Sequence, residues 1–113
     1  MTRTASILLR EIIGAIELIA DYTRGRSFDD FSKDVQTQDA VIRRLEIIGE
    51  AVKNLPDDIR VRYPGIPWRK IAGARDVLIH EYFRVDLALA WEMIQDDLPR
   101  LFEDINKILG SEE

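Results

Sequence analysis

The chain has 113 residues, a net charge of −5, 46% hydrophobic and 33% charged residues, one histidine and no cysteine. That length and composition predict one globular domain over residues 1–113 that can bury a core without covalent staples. Disulfides, thiolate catalysis and Cys-type zinc sites are excluded, and a single His cannot build a His-rich metal site within one chain; a carboxylate-held Mg²⁺ stays open, but nothing calls for it or for another cofactor.

From Thr4 to Arg24 the apolar residues Ile7, Leu8, Leu9, Ile12, Ile13, Ile16, Ile19 and Ala20 recur at helical spacing, which predicts a first helix with a broad buried stripe. Gly25 supplies a left-handed stop, and Ser27-Phe28-Asp29-Asp30-Phe31 reads as a capped single turn that tucks aromatics under a loop. A second long helix is expected from Asp34 or Val35 to Leu55, with Val41, Ile42, Leu45, Ile48, Val52 and Leu55 inward. Pro56-Asp57-Asp58-Ile59 has the proline and acids of a helix N-terminus, so a short helix to about Tyr63 follows. Pro64-Gly65-Ile66-Pro67 forces a turn, and Trp68 restarts a helix that carries Ile71, Val77 and Leu78 to the core. Asp86 is an N-cap for a last helix through Leu87, Ala90, Trp91, Ile94, Leu98, Leu101, Ile105 and Leu109, with a kink expected at Pro99.

No segment alternates with period two, so the predicted architecture is an all-α bundle of about four to five helices. Tyr22, Phe28 and Phe31 are expected to close one bundle end, and Trp68 and Trp91 to anchor the core or a dimer interface, with stacking on a base as a further role for Trp68. Every apolar stretch is broken by charge before the ~18 residues of a membrane span, and no signal-peptide pattern opens the chain. A cytoplasmic protein is expected.

Charge is unevenly spread. Residues 60–84 carry Arg60, Arg62, Arg69, Lys70, Arg75 and Arg84 against Asp76 and Glu81, whereas residues 85–113 carry eight acids against Arg100 and Lys107. The basic segment can attract phosphates locally; equally, both runs can be solvated helix faces. Within it lies Arg75-Asp76-Val77-Leu78-Ile79-His80-Glu81-Tyr82, which holds the chain's single histidine. Arginine is a permanent cation matched to phosphate, and imidazole exchanges a proton near neutrality, so the pair suits phosphodiester cleavage. Their spacing complicates this, because five residues on a regular helix place Arg75 and His80 about 140° apart. Asp76 and His80, at i and i+4, share a face, so the carboxylate can orient the imidazole. On these residues alone, two readings stand: a catalytic histidine, or a core histidine bonded to a neighbour.

The run Arg75-x4-His80-x-Tyr82 resembles the signature of the HEPN superfamily, and specifically of HepT-like toxins. Arg43-Arg44-Leu45-Glu46-Ile47-Ile48-Gly49-Glu50-Ala51 resembles that family's Arg…Ile-Gly-Glu-Ala helix, and Tyr63-Pro64-Gly65-Ile66-Pro67-Trp68 with Ile71-Ala72-Gly73 resembles the approach to its motif. Tyr82-Phe83-Arg84-Val85-Asp86, Trp91 and Asp97-Leu98-Pro99 resemble its closing helix, so the likeness covers nearly the whole chain. One local departure is Ala74-Arg75-Asp76, where the family frequently has Met-Arg-Asn.

The resemblance implies a HEPN-type bundle and a metal-independent endoribonuclease that acts on RNA, not DNA. It implies the toxin half of a type VII-like toxin–antitoxin pair and a homodimer with a composite site. His80 would be the general acid/base, Arg75 would hold phosphate and Asp76 would orient His80, with Arg69, Lys70 and Arg84 as RNA contacts. Tyr82 would be the acceptor of AMP from an MntA-type minimal nucleotidyltransferase antitoxin. Gly49-Glu50-Ala51 reads as close helix packing, with Glu50 a buried or interfacial carboxylate. Two rival functions are a non-catalytic module that binds the nucleotidyltransferase and a substrate-binding subunit of a two-chain nucleotidyltransferase.

Overall fold

The computed structural model describes residues 1–74, 76 and 86–112. Its first helix, α1 (Arg3–Thr23), begins where the Thr2 hydroxyl accepts from the Ala5 amide and ends before Gly25, whose φ of 72° is the left-handed conformation that stops a helix. Its inward seam is Leu9, Ile12, Ile16 and Ile19, joined by Ala5 and Ala15. Two residues of the expected stripe face outward: Ala20 is exposed and Ile7 is 51% exposed. At about 100° per residue, Ile7 lies roughly 160° around the axis from that seam, and Ala20 sits at its edge.

The expected capped turn is α2 (Phe28–Ser32), held by a reciprocal capping box between Ser27 and Asp30. Phe31 is fully buried against Trp91, with ring centroids 5.3 Å apart, and Phe28 meets the same indole edge-on at 6.2 Å. Phe28 and Phe31 thus meet on Trp91, while Tyr22, the third aromatic expected at this end, is partly buried against the core. Asp34 then caps α3 (Val35–Lys53), accepting from the Thr37 amide and hydroxyl and from Arg26 at 2.6 Å.

Helix α3 packs along α1 and presents Val41, Leu45, Ile48 and Val52 to the core. Leu55 is also buried, just past the helix end. Two short helices follow, α4 (Asp57–Arg62) and α5 (Trp68–Ala72), divided by the predicted Pro64–Pro67 turn. At Gly49, α3 approaches α5 so closely that an added Cβ would stand 3.2 Å from the Ala72 carbonyl oxygen and 3.5 Å from that of Ile71. A side chain there would push the helices apart, which is the packing role read for Gly49 from sequence.

Asp86 caps α6 (Leu87–Glu92), its carboxylate accepting from the Leu89 amide at 2.9 Å. The chain then passes through a π-helical turn, Met93–Asp97, into α7 (Leu98–Glu112). The sequence predicts a kink at Pro99; the feature observed is this π-helical turn, which ends two residues before the proline. Proline has no N–H and its ring crowds the carbonyl four residues back, so the backbone widens and the Leu98 amide bonds to Met93, five residues earlier. Helix α7 then lies on α1 and buries Leu98, Leu101, Ile105 and Ile108. The described residues contain no strand, and the class is an all-α bundle. Val77 and Leu78, predicted inward, lie outside the described residues.

Two outcomes follow. Gly49→Val should destabilise the fold by about 1–3 kcal/mol in urea unfolding, through overpacking against a backbone carbonyl. Asp34 is lowered from 3.8 to about 2, chiefly by the Thr37 hydroxyl, then by the Thr37 amide and Arg26. A depressed carboxylate contributes stability above its unfolded value and loses it as the folded form is protonated. The stability gap between wild type and Asp34→Asn should therefore be full above pH 3.8 and close as pH falls towards about 2.

Candidate active site

Helix α5 is the element that leads into the Arg/His run, and its placement comes from burial at one end and contact at the other. Trp68 is only 6% exposed, and its indole N–H donates to the Tyr63 carbonyl at 3.0 Å. That bond ties the start of α5 to the end of α4 and corrects the stacking role: a buried ring with its N–H engaged is a core anchor and offers no face to a base. Ile71 fills the core one turn later, beside Gly49.

Of the residues singled out from sequence, Arg75, His80, Tyr82 and Arg84 lie outside the described residues. Asp76 is exposed, just past α5, and its amide donates to the Gly73 carbonyl at 3.1 Å. Arg69 and Lys70 are both exposed on α5, and Lys70 stands 3.3 Å from Asp97 of the π turn. An exposed pair of this kind contributes at most about 1 kcal/mol, so Lys70 keeps a cation at the surface that the fold scarcely depends on.

On the other side of α5 lies a cleft of about 540 Å³ between α1 and α3. Asp76 and Ala72 form one wall, and Glu11, Arg43, Glu46, Glu50 and Lys53 project around it. Arg43 and Glu46 are 3.7 Å apart within α3. Glu50, read as buried or interfacial, is exposed on this rim. The sequence reading did not assemble this cleft, although positions 43, 46, 50 and 53 recur at intervals of three and four and so mark one charged face of a helix. Among the described residues no group of three or more His, Cys, Asp or Glu side chains is placed to hold a metal ion, and no helix is long and apolar enough to cross a membrane.

The helical bundle and the motif it carries define a class, and comparison with known proteins places the chain in it. A family model described as ribonuclease HepT-like matches residues 12–108, so the chain belongs to the HepT-like ribonuclease family. It is 49% identical over 110 residues to the "Probable ribonuclease HepT" of Thermococcus cleftensis, covering 95% of this chain and 100% of that protein. It is 43% identical over 111 residues to the "Putative RNase TTE0752" of Caldanaerobacter subterraneus, covering 98% and 99% of the two chains. It is also 50% identical over 109 residues to the "Gamma-glutamylcyclotransferase and putative RNase MJ0434" of Methanocaldococcus jannaschii. That match takes in 96% of this chain, which spans about half the length of the Methanocaldococcus protein. No solved structure matches the chain.

Proposed function

We propose that this chain is a metal-independent endoribonuclease toxin of a type VII-like toxin–antitoxin pair. The observation that supports the reading is the spacing Arg75-x4-His80-x-Tyr82 in a chain of the HepT-like ribonuclease family. The RNA 2′-hydroxyl attacks the adjacent phosphorus and the 5′-oxygen of the next nucleotide leaves. The protein then has to take one proton, give another and stabilise charge on the phosphoryl oxygens. His80 is assigned the proton transfers, Arg75 the phosphoryl charge and Asp76 the orientation of His80.

One histidine per chain supplies one acid/base group. A two-fold homodimer brings two copies of His80 and of Arg75 to a shared cleft, which answers both the shortage and the angle between them on a single helix. Arg69, Lys70 and Arg84 are assigned to the phosphates on either side.

Restraint is assigned to a minimal nucleotidyltransferase. The Tyr82 hydroxyl would give up its proton and attack the α-phosphorus of ATP, releasing pyrophosphate and leaving AMP on the phenolic oxygen. The added phosphate and adenosine oppose RNA by charge and by volume. The proposed setting is the cytoplasm, with residues 1–113 forming one domain.

Expressed without a partner, the wild type should arrest host growth with loss of bulk RNA, and His80→Ala should do neither. RNA cleavage by the purified protein that is unaffected by both His80→Ala and Arg75→Ala would overturn the assignment. A second measurement reports on the flanking cations. In a His80→Ala background, replacing Arg69 and Lys70 by Ala should leave unfolding within about 1 kcal/mol of the parent. It should also flatten the dependence of log Kd for single-stranded RNA on log salt by about 0.7 per cation removed.

A further inference from the structure

The cleft between α1 and α3 has a composition that does not suit the RNA backbone. Glu11, Glu46, Glu50 and Asp76 outnumber Arg43 and Lys53 around it, so a phosphate entering it would meet net repulsion. Its volume of about 540 Å³ falls within the roughly 300–1,000 Å³ of small-ligand sites. Leu8 and Ile47, both partly buried against the core, give it an apolar wall for a flat ring. Arg75, the residue assigned to phosphate, immediately precedes Asp76 in the sequence, and Asp76 lines the cleft. Under the phosphate role assigned to Arg75, a base next to the cleaved phosphate would meet this cleft.

We propose that the cleft is a base-recognition subsite that takes guanine, with Glu50 as its specificity-determining residue; the inference rests on the ribonuclease reading above. Glu50 is exposed on the cleft rim, one turn along α3 from the Arg43 and Glu46 pair. An ionised carboxylate offers acceptors only. Guanine presents two adjacent donors on its Watson–Crick edge, N1–H and the N2 amino group, which one carboxylate can accept together. Adenine and cytosine set an amino group beside a ring acceptor, and uracil flanks its single N–H with two carbonyls, so each turns a lone pair towards the carboxylate. Single-stranded RNA is the form in which such an edge is free to be read. Gly49 keeps α3 against Ala72, which holds the two walls of the cleft at a fixed separation.

Matched oligoribonucleotides differing by guanosine or inosine at one position test this, because inosine lacks only the N2 amino group. At the nucleotide beside the cut, the wild type should cleave the guanosine substrate roughly tenfold better in kcat/KM than the inosine one. Glu50→Gln, with folding checked by circular dichroism, should bring that ratio close to one, because the amide replaces an acceptor with a donor. Equal cleavage of both substrates by the wild type, or a ratio that Glu50→Gln leaves unchanged, would overturn the assignment. If the wild type cleaves neither, the ribonuclease reading itself fails, and the subsite is judged by titration of the mononucleotides. Guanosine monophosphate should then shift the amide signals of Glu46, Glu50 and Asn54 more than inosine monophosphate does. Equal shifts, or none, would reject the subsite.

Discussion

The approach of α3 to α5 at Gly49 is the constraint on which the rest of the site depends. A five-residue helix cannot hold itself together in water, since the cost of nucleation exceeds what one turn of hydrogen bonds returns. Helix α5 persists because Trp68 and Ile71 are buried and because the backbone of Ile71 and Ala72 rests where Gly49 has no side chain. Ala74 and Asp76 follow directly, so the entry to the Arg/His run is positioned by packing between helices and not by the intrinsic stability of α5.

Two features of the bundle have a similar logic at the opposite end. The aromatic contact of Phe28 and Phe31 on Trp91 couples the capped turn α2 to the start of the last helical stretch. Its buried component is Phe31, with no exposed surface, while Phe28 covers the indole from the solvent side. The acid cap at Asp34 fixes where α3 begins and ties it through Arg26 to the preceding loop. Burial thus sets the helix faces, and short hydrogen-bonded caps set their ends, which is the division of labour expected when tertiary packing supplies most helical stability.

Much of this was legible in the residues because helical spacing and caps are local signals. The boundaries of α1 and α3, the Ser27 and Asp86 caps and the left-handed Gly25 all follow from a few neighbouring side chains. What failed to show locally was relational. Ile7 is apolar but on the far side of its helix, and Trp68 is followed by two cations yet turned inward to the Tyr63 carbonyl. The charged cleft draws on α1, α3 and the residues after α5, and no stretch of sequence displays that juxtaposition. Of the candidate site, Asp76, Arg69 and Lys70 are placed at the surface around α5, while Arg75, His80, Tyr82 and Arg84 fall outside the described residues.

The π turn ahead of Pro99 also has a meaning for phase. A turn with one extra residue rotates everything on one side of it relative to everything on the other, by about 100°. Helix α6 contacts α2 through Trp91, whereas α7 meets α1 through a different set of apolar residues. The extra residue reconciles two neighbours that a uniform helix would present at the wrong angle. In this sense residues 93–97 act as a gearing element, and the length of that segment carries information independently of the side chains in it.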